Sequence, residues 1–347
     1  MRRDPSGLTC VARSPPTTWA SISEAAEPLA PEVFRDLLAV GKEALLVAVL
    51  GIVIPLALGF GFGLFQGQGN VSALFVGTAL VATSVGITAK VLQEMGVLDA
   101  RFAQVILGAA VIDDILGLTL LAVVSGLGAG ESMGAAQVAL ILGLSVGFVA
   151  LVLAVGIPLI HRFQPRLQNL SLARMFNVAI VVGLGVAALS TVAGLAPIIG
   201  AFLAGMVLAE VKDEVEFESK VHALEAFLAP IFFVVVGLQL DLSVLGTPTV
   251  IVAGLILTVL AVIGKVVGGL LGARSMGGQQ ALLVGVGMVP RGEVGLIVAS
   301  LGLGAGIING NVYAEVLLMV LLTTVLAPLA LRVLARRAGP EAIAAKA

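Results

Sequence analysis

The chain has 347 residues, 59% hydrophobic and only 12% charged, with a mean hydropathy of +1.14. Soluble domains carry about 25% charged residues, so the composition excludes an ordinary soluble fold and points to an all-α polytopic membrane protein. A membrane β-barrel is disfavoured because the apolar runs are continuous rather than alternating, and a net charge of -2 gives no sign of a nucleic-acid partner.

In chain order, residues 1–32 come first and do not match the rest. They are polar, rich in Pro, Ser and Thr, and hold Cys10 and Trp19. Arg2 and Arg3 resemble the basic start of a signal peptide, but no apolar core follows. The stretch reads as disordered or non-native. A single cysteine excludes an intramolecular disulfide and a cysteine metal cluster. The two histidines, His161 and His222, sit beside span ends, which argues against a histidine metal site, and no cofactor is expected.

Hydropathy then predicts ten membrane helices, each long enough for a hydrocarbon core of ~30 Å. They run over 42–64, 71–89, 102–127, 134–160, 173–191, 194–210, 221–240, 248–272, 279–303 and 311–334. The connections test the count. Those on one side carry Arg35, Lys42, Lys90, Arg101, Arg162, Arg166, Arg174, Lys212, Lys220, Arg274, Arg332, Arg336 and Arg337. The alternate connections, near 65–70, 128–133, 191–194, 241–247 and 304–310, carry no Lys or Arg. By the positive-inside rule both termini are expected in the cytoplasm, with the chain in the inner (plasma) membrane.

With the spans drawn, five ionisable residues remain at depth: Asp113, Asp114, Lys265, Arg291 and Glu293. A charge at the bilayer centre costs at least about 2.5–3.5 kcal/mol on insertion scales, so each needs a partner or a function. Asp113 and Asp114 lie in "AVIDDILGL", where two adjacent carboxylates repel each other with little water to screen them. Adjacent helical residues diverge by ~100°, so the two can address different partners. Lys265, in "VIGKVVGG", is the available counter-charge. A structural Asp–Lys ion pair accounts for one aspartate and leaves the other over.

Two segments predict broken helices. In "GMVPRGEVGLI" (287–297), Pro290 interrupts the hydrogen-bond ladder in mid-span and Arg291 and Glu293 follow. In "VATSVGIT" (81–88), Thr83, Ser84, Thr88 and Gly86 weaken an otherwise apolar helix. Ordinary small-residue packing explains either segment alone. Irregular backbone at membrane depth occurs where it is buried in protein or lines a cavity, and its carbonyls and hydroxyls are oxygen ligands suited to a small cation. Each segment sits in the middle helix of a three-span unit, and spans 1–3 and 8–10 run in opposite senses. That inverted-repeat layout, with two broken crossing helices, belongs to secondary transporters.

The stretches "GTALVATSVGITAKVLQEMG", "ILGAAVIDDILGL", "GLAPIIGAFLAGMVLAE", "FFVVVGLQLDL" and "GMVPRGEVGLIVA", spread in order over residues 33–335, resemble the monovalent cation:proton antiporters, specifically the NapA-like bacterial Na+/H+ antiporters. The resemblance implies a core domain built from residues 33–128 and 248–337, a linking helix over 129–160, dimerisation-domain helices over 161–247 and a cytoplasmic tail over 338–347. It implies a homodimer with elevator-type movement of the core. Asp114 corresponds to the carboxylate that binds the cation (Na+) or proton, and Asp113 to the neighbour paired with a lysine, here Lys265. Thr83 and Ser84 correspond to the unwound segment beside the site. Pro290, Arg291 and Glu293 support the helix crossing. The Asp-Asp-Lys set resembles the electrogenic subtype, which moves two protons per Na+ or Li+. The family also carries two or three helices ahead of the first span, a region occupied here by the polar stretch.

The expected function is therefore electrogenic Na+(Li+)/H+ antiport rather than an enzyme activity, with the ions as substrates. The alternatives are a K+/H+ antiporter of the same superfamily, or a truncated, non-transporting membrane subunit. An intramembrane aspartyl protease needs aspartates facing each other from different helices, and a channel needs a pore-lining ring. Neither suits one adjacent acid pair.

Overall fold

The computed structural model describes residues 41–98, 100–128, 135–167, 171–193, 195, 197–209, 215–239, 243 and 247–344. The stretch 1–32, with Cys10, lies outside them, as do parts of several connections. Eight of the predicted spans fold as single helices: α1 (Gly41–Phe65), α4 (Arg101–Gly128), α5 (Ala135–Leu167), α6 (Leu172–Val192), α7 (Pro197–Ala209), α8 (Val215–Leu238), α9 (Pro248–Gly272) and α12 (Gly310–Ala344). The second and ninth spans are each split. The second becomes α2 (Asn70–Val81) and α3 (Val85–Glu94), and the ninth becomes α10 (Gly278–Gly287) and α11 (Glu293–Gly304). Seven described segments are long and apolar enough to cross a membrane, and 199–208, 223–238 and 293–304 are shorter apolar helices.

Three helices outrun their predicted spans. α5 continues to Leu167, α8 starts at Val215, and α12 reaches Ala344, well into the segment assigned to the tail. Hydropathy registers only the lipid-length part of a helix. The Arg, Glu, Gln and Ala residues beyond it favour helix as strongly as leucine does.

The helices pack as an inner and an outer group. α1 lies against α2, α4 and α9; α9 also packs on α10 and α12; and α11 packs on α2. Glycine permits these approaches: a Cβ at Gly269 would stand 2.3 Å from Gly285 Cα, and one at Gly59 would stand 2.6 Å from Gly77 Cα. α6 packs mainly on α7, and α7 also on α5. None of the most apolar stretch of α5 is buried, against 72% for the broken second span. Of the seven membrane-length segments, the one carrying most hydroxyls is thus the most enclosed by protein.

Buried apolar side chains form two clusters stacked along the helix axes. One holds Phe62, Phe75, Leu80, Leu121, Leu257, Val298 and Tyr313. The other holds Val47, Leu92, Phe102, Ile106, Leu283 and Leu331. Along α4 the membership switches between Ala110 and Leu118, and along α9 between Ala261 and Val266. Both helix breaks fall at the same level, between Leu80 and Val85 and between Met288 and Val294. A polar layer is therefore sandwiched between two apolar ones.

Candidate functional site

That layer contains every deep charge singled out from the sequence. Lys265 Nζ lies 2.9 Å from Asp113 Oδ1 and 3.0 Å from Oδ2, with side-chain exposures of 0% and 1%. Taking either ion from water costs several kcal/mol, and close pairing is what offsets it. The helix geometry then separates the two aspartates. Asp113 turns into the protein towards α9, whereas Asp114, about 100° further round α4, is half-buried. Among the described residues no Lys, Arg or His forms an ion pair with Asp114.

Asp114 lines a small, partly open cavity together with Asp113, Thr78, Ala82, Gly117, Leu118, Val294 and Val298. One wall is the acid pair on α4, and another is the end of α2 at its break. α11, just past the second break, supplies Val294 and Val298. Thr78, Ala82, Gly117, Leu118 and the two valines were not among the predicted residues. Gly117 was the legible one: it lies three and four positions after the aspartates, hence on their face of α4, and leaves room beside them.

The breaks are held to each other. Ser84 N donates to Pro290 O (2.9 Å), so backbone freed by one interruption is satisfied by the other. Thr88 Oγ1 donates to Gly287 O at 2.7 Å, tying α3 to the end of α10. Ser84 Oγ donates to Glu293 Oε2 at 3.3 Å. A Cβ on Gly292 would stand 2.6 Å from Ser84 Oγ, so the crossing leaves no space for a side chain there. Thr83 Oγ1 lies 3.4 Å from Val81 O. Neither Thr83 nor Ser84 lines the cavity; their hydroxyls face backbone and Glu293 instead.

Arg291 and Glu293 part company. Arg291 is fully buried and donates long hydrogen bonds to Met288 O and Ala261 O, both 3.4 Å, while its Nε–H has no partner among the described residues. Glu293 is exposed on the surface of this chain. The five ionisable groups nevertheless share one electrostatic neighbourhood. Asp114 feels Asp113, Glu293 and Lys265; Arg291 feels Asp113; and Lys265 feels both aspartates and Arg291. Fully ionised, three acids and two bases leave the layer one negative charge in excess.

The sodium/hydrogen exchanger transmembrane family matches residues 33–337, and the chain belongs to that family, within the monovalent cation:proton antiporter superfamily. It is 36% identical over 323 residues to the high-affinity Na+/H+ antiporter NhaS3 of Synechocystis, covering 88% of this chain and 68% of that one. It is 35% identical over 299 residues to a Na+/H+ antiporter of Enterococcus hirae, covering 84% and 76%. It is 33% identical over 294 residues to the Na+/H+-K+ antiporter GerN of Bacillus cereus, covering 83% and 74%. The family is one of multi-pass membrane transporters, not enzymes, and its members need no cofactor.

Proposed function

We propose that this protein exchanges protons for a monovalent cation, Na+ or Li+, across the bacterial plasma membrane, with Asp114 as the group that trades one for the other. One observation carries the reading: Lys265 is committed to Asp113, while Asp114 stands on the cavity wall with no basic partner among the described residues. An ionised carboxylate in that setting binds a dehydrated cation, and a proton on the same oxygens expels it. A site that takes either species, opened alternately to each side, is an antiporter.

The described residues contain no group of three or more His, Cys, Asp or Glu that could hold a metal ion. The cation would accordingly complete its shell with water and with carbonyl oxygens at the end of α2, as befits a cargo that must leave again. The opposed breaks support a crossing at which the backbone is aimed at the ion, and Arg291 and Glu293 hold that crossing in register. Residues 33–128 and 248–337 form the moving core in this reading, and helices of 161–247 form the homodimer, with both termini cytoplasmic. If two protons move for each cation, one net charge crosses per cycle, coupling exchange to a potential worth about 2.3 kcal/mol per charge per 100 mV.

Asp114→Asn is expected to abolish Na+-dependent proton movement in reconstituted vesicles, with expression and melting temperature preserved; retained exchange would overturn the assignment. Because a relative is named for both Na+ and K+, the same vesicles are assayed with Na+, Li+ and K+. The present reading requires Na+ and Li+ to be preferred.

A further inference from the structure

A second carboxylate is buried away from this layer. Glu315, in the second turn of α12, is 5% exposed, and its one described hydrogen-bond partner is Gln66 Nε2, 3.0 Å from Oε2. Gln66 belongs to the α1–α2 turn, at the end of the molecule away from the Lys- and Arg-bearing connections. Among the described residues no Lys, Arg or His pairs with Glu315. It lies beyond the first turn, within which a helix dipole compensates negative charge. The neighbouring helix α9 meets its backbone with a glycine. A Cβ on Gly254 of α9 would stand 3.2 Å from Glu315 O. Tyr313, two residues earlier, donates its hydroxyl to Val236 O of α8 at 2.7 Å. Gly254 precedes Lys265 by eleven residues on α9, about 16 Å of helical rise, so the two sites are distinct.

The second observation is independent. Gln66 Oε1 is buried with no hydrogen-bond donor among the described residues. An ionised Glu315 can only accept, which leaves both the charge and this amide oxygen unsatisfied, each at a cost. A carboxylic acid supplies what is missing. Its O–H donates to Gln66 Oε1 while its other oxygen keeps the bond from Nε2, closing a reciprocal acid–amide pair.

We propose that Glu315 and Gln66 form a proton-binding site, separate from the Asp113–Asp114 layer, whose protonated form ties the α1–α2 turn to α12. The proton sits on Glu315 at neutral pH and leaves when the turn opens towards solvent. This inference does not depend on ion exchange at Asp114.

The test uses the full chain in lipid, carrying Asp114→Asn so that the central carboxylate contributes nothing. Infrared difference spectra at pH 7 compare it with the same protein also carrying Glu315→Gln, a neutral isostere. Loss of one protonated-carboxyl C=O band is the expected result; loss of a carboxylate band instead overturns the proposal. Gln66→Leu provides a second reading that keeps Glu315 in place. The acid C=O band is expected to move to higher frequency as its amide partner disappears, and an unmoved band overturns the pairing.

Discussion

Lys265 is surrounded by protein on every side, so its charge is held only by what it touches, and that is Asp113. Removing one partner leaves the other as an uncompensated buried ion, which costs about 3–5 kcal/mol, whereas replacing both by apolar or neutral groups of similar size is close to neutral. Lys265→Met is therefore expected to lower the melting temperature of the detergent-solubilised protein sharply, and Asp113→Asn in the same chain to restore most of it. A double variant as unstable as Lys265→Met would show that the lysine is held by something other than this pair. The role proposed for Asp114 is separable from that pair because among the described residues no basic partner would be stranded by its loss. At this scale the sequence was informative: an acid pair and one lysine in lipid-length apolar runs left few ways to neutralise charge. It did not say which aspartate meets the lysine from spacing alone, since α4 could be rotated either way. The family resemblance supplied that assignment; in the structure it is Asp113 that accepts from Lys265.

Helix breaks are decided at the scale of the element, and a proline is a poor guide by itself. Pro55 lies inside continuous α1 and Pro230 inside continuous α8. Only at Pro290 does the helix stop, over Met288–Gly292. The difference lies in what receives the freed groups. Pro290 O accepts from Ser84 N, and Gly287 O accepts from Thr88, so each interruption is satisfied by the other. Thr88→Val removes one brace and is expected to cost about 1 kcal/mol, the worth of a typical internal hydrogen bond. Gly292→Ala drives a methyl group to 2.6 Å from Ser84 Oγ, and overpacking of this kind costs about 1–3 kcal/mol. Because Gly292 abuts the residue that bonds Glu293, exchange in vesicles is expected to fall further for Gly292→Ala than for Thr88→Val. Equal loss in the two variants would mean that the crossing tolerates widening.

Across the whole molecule, the polar layer lies between two apolar clusters, and the helices outside the core expose large apolar faces. On α8 these include Phe227, Ile231, Val234 and Leu238, and on α6 Val181, Leu184 and Val192. Lipid covers such faces in a monomer, and a second copy covers part of them in the proposed dimer. The sequence contains one cysteine, Cys10, so a Cys10→Ser background allows clean placement of new thiols. Phe227→Cys and Val234→Cys, oxidised in native membranes, are expected to yield a disulfide-linked species of twice the mass if α8 lines the dimer. A thiol on the lipid-exposed face of α9, such as Val259→Cys (Val259 is 55% exposed), is expected to remain monomeric. Cross-linking at α9 and not α8 would relocate the interface.

Hydrophobicity and charge are local properties, and they determined on their own that this is a multi-span α-helical membrane protein. They also picked out its few deep charges and the two segments where the helices fail. Residue identity alone sufficed there, because lipid penalises an unpaired charge or an unsatisfied amide wherever it occurs. Tertiary structure decided the rest. It paired Asp113 with Lys265 and left Asp114 half-buried beside it, sent Arg291 and Glu293 to different partners, and set the Thr83 and Ser84 hydroxyls against backbone and Glu293. It also buried Glu315, which looks in the sequence like an ordinary acid at a span end. Which side of a helix is enclosed depends on its neighbours, and those neighbours are far away in the chain.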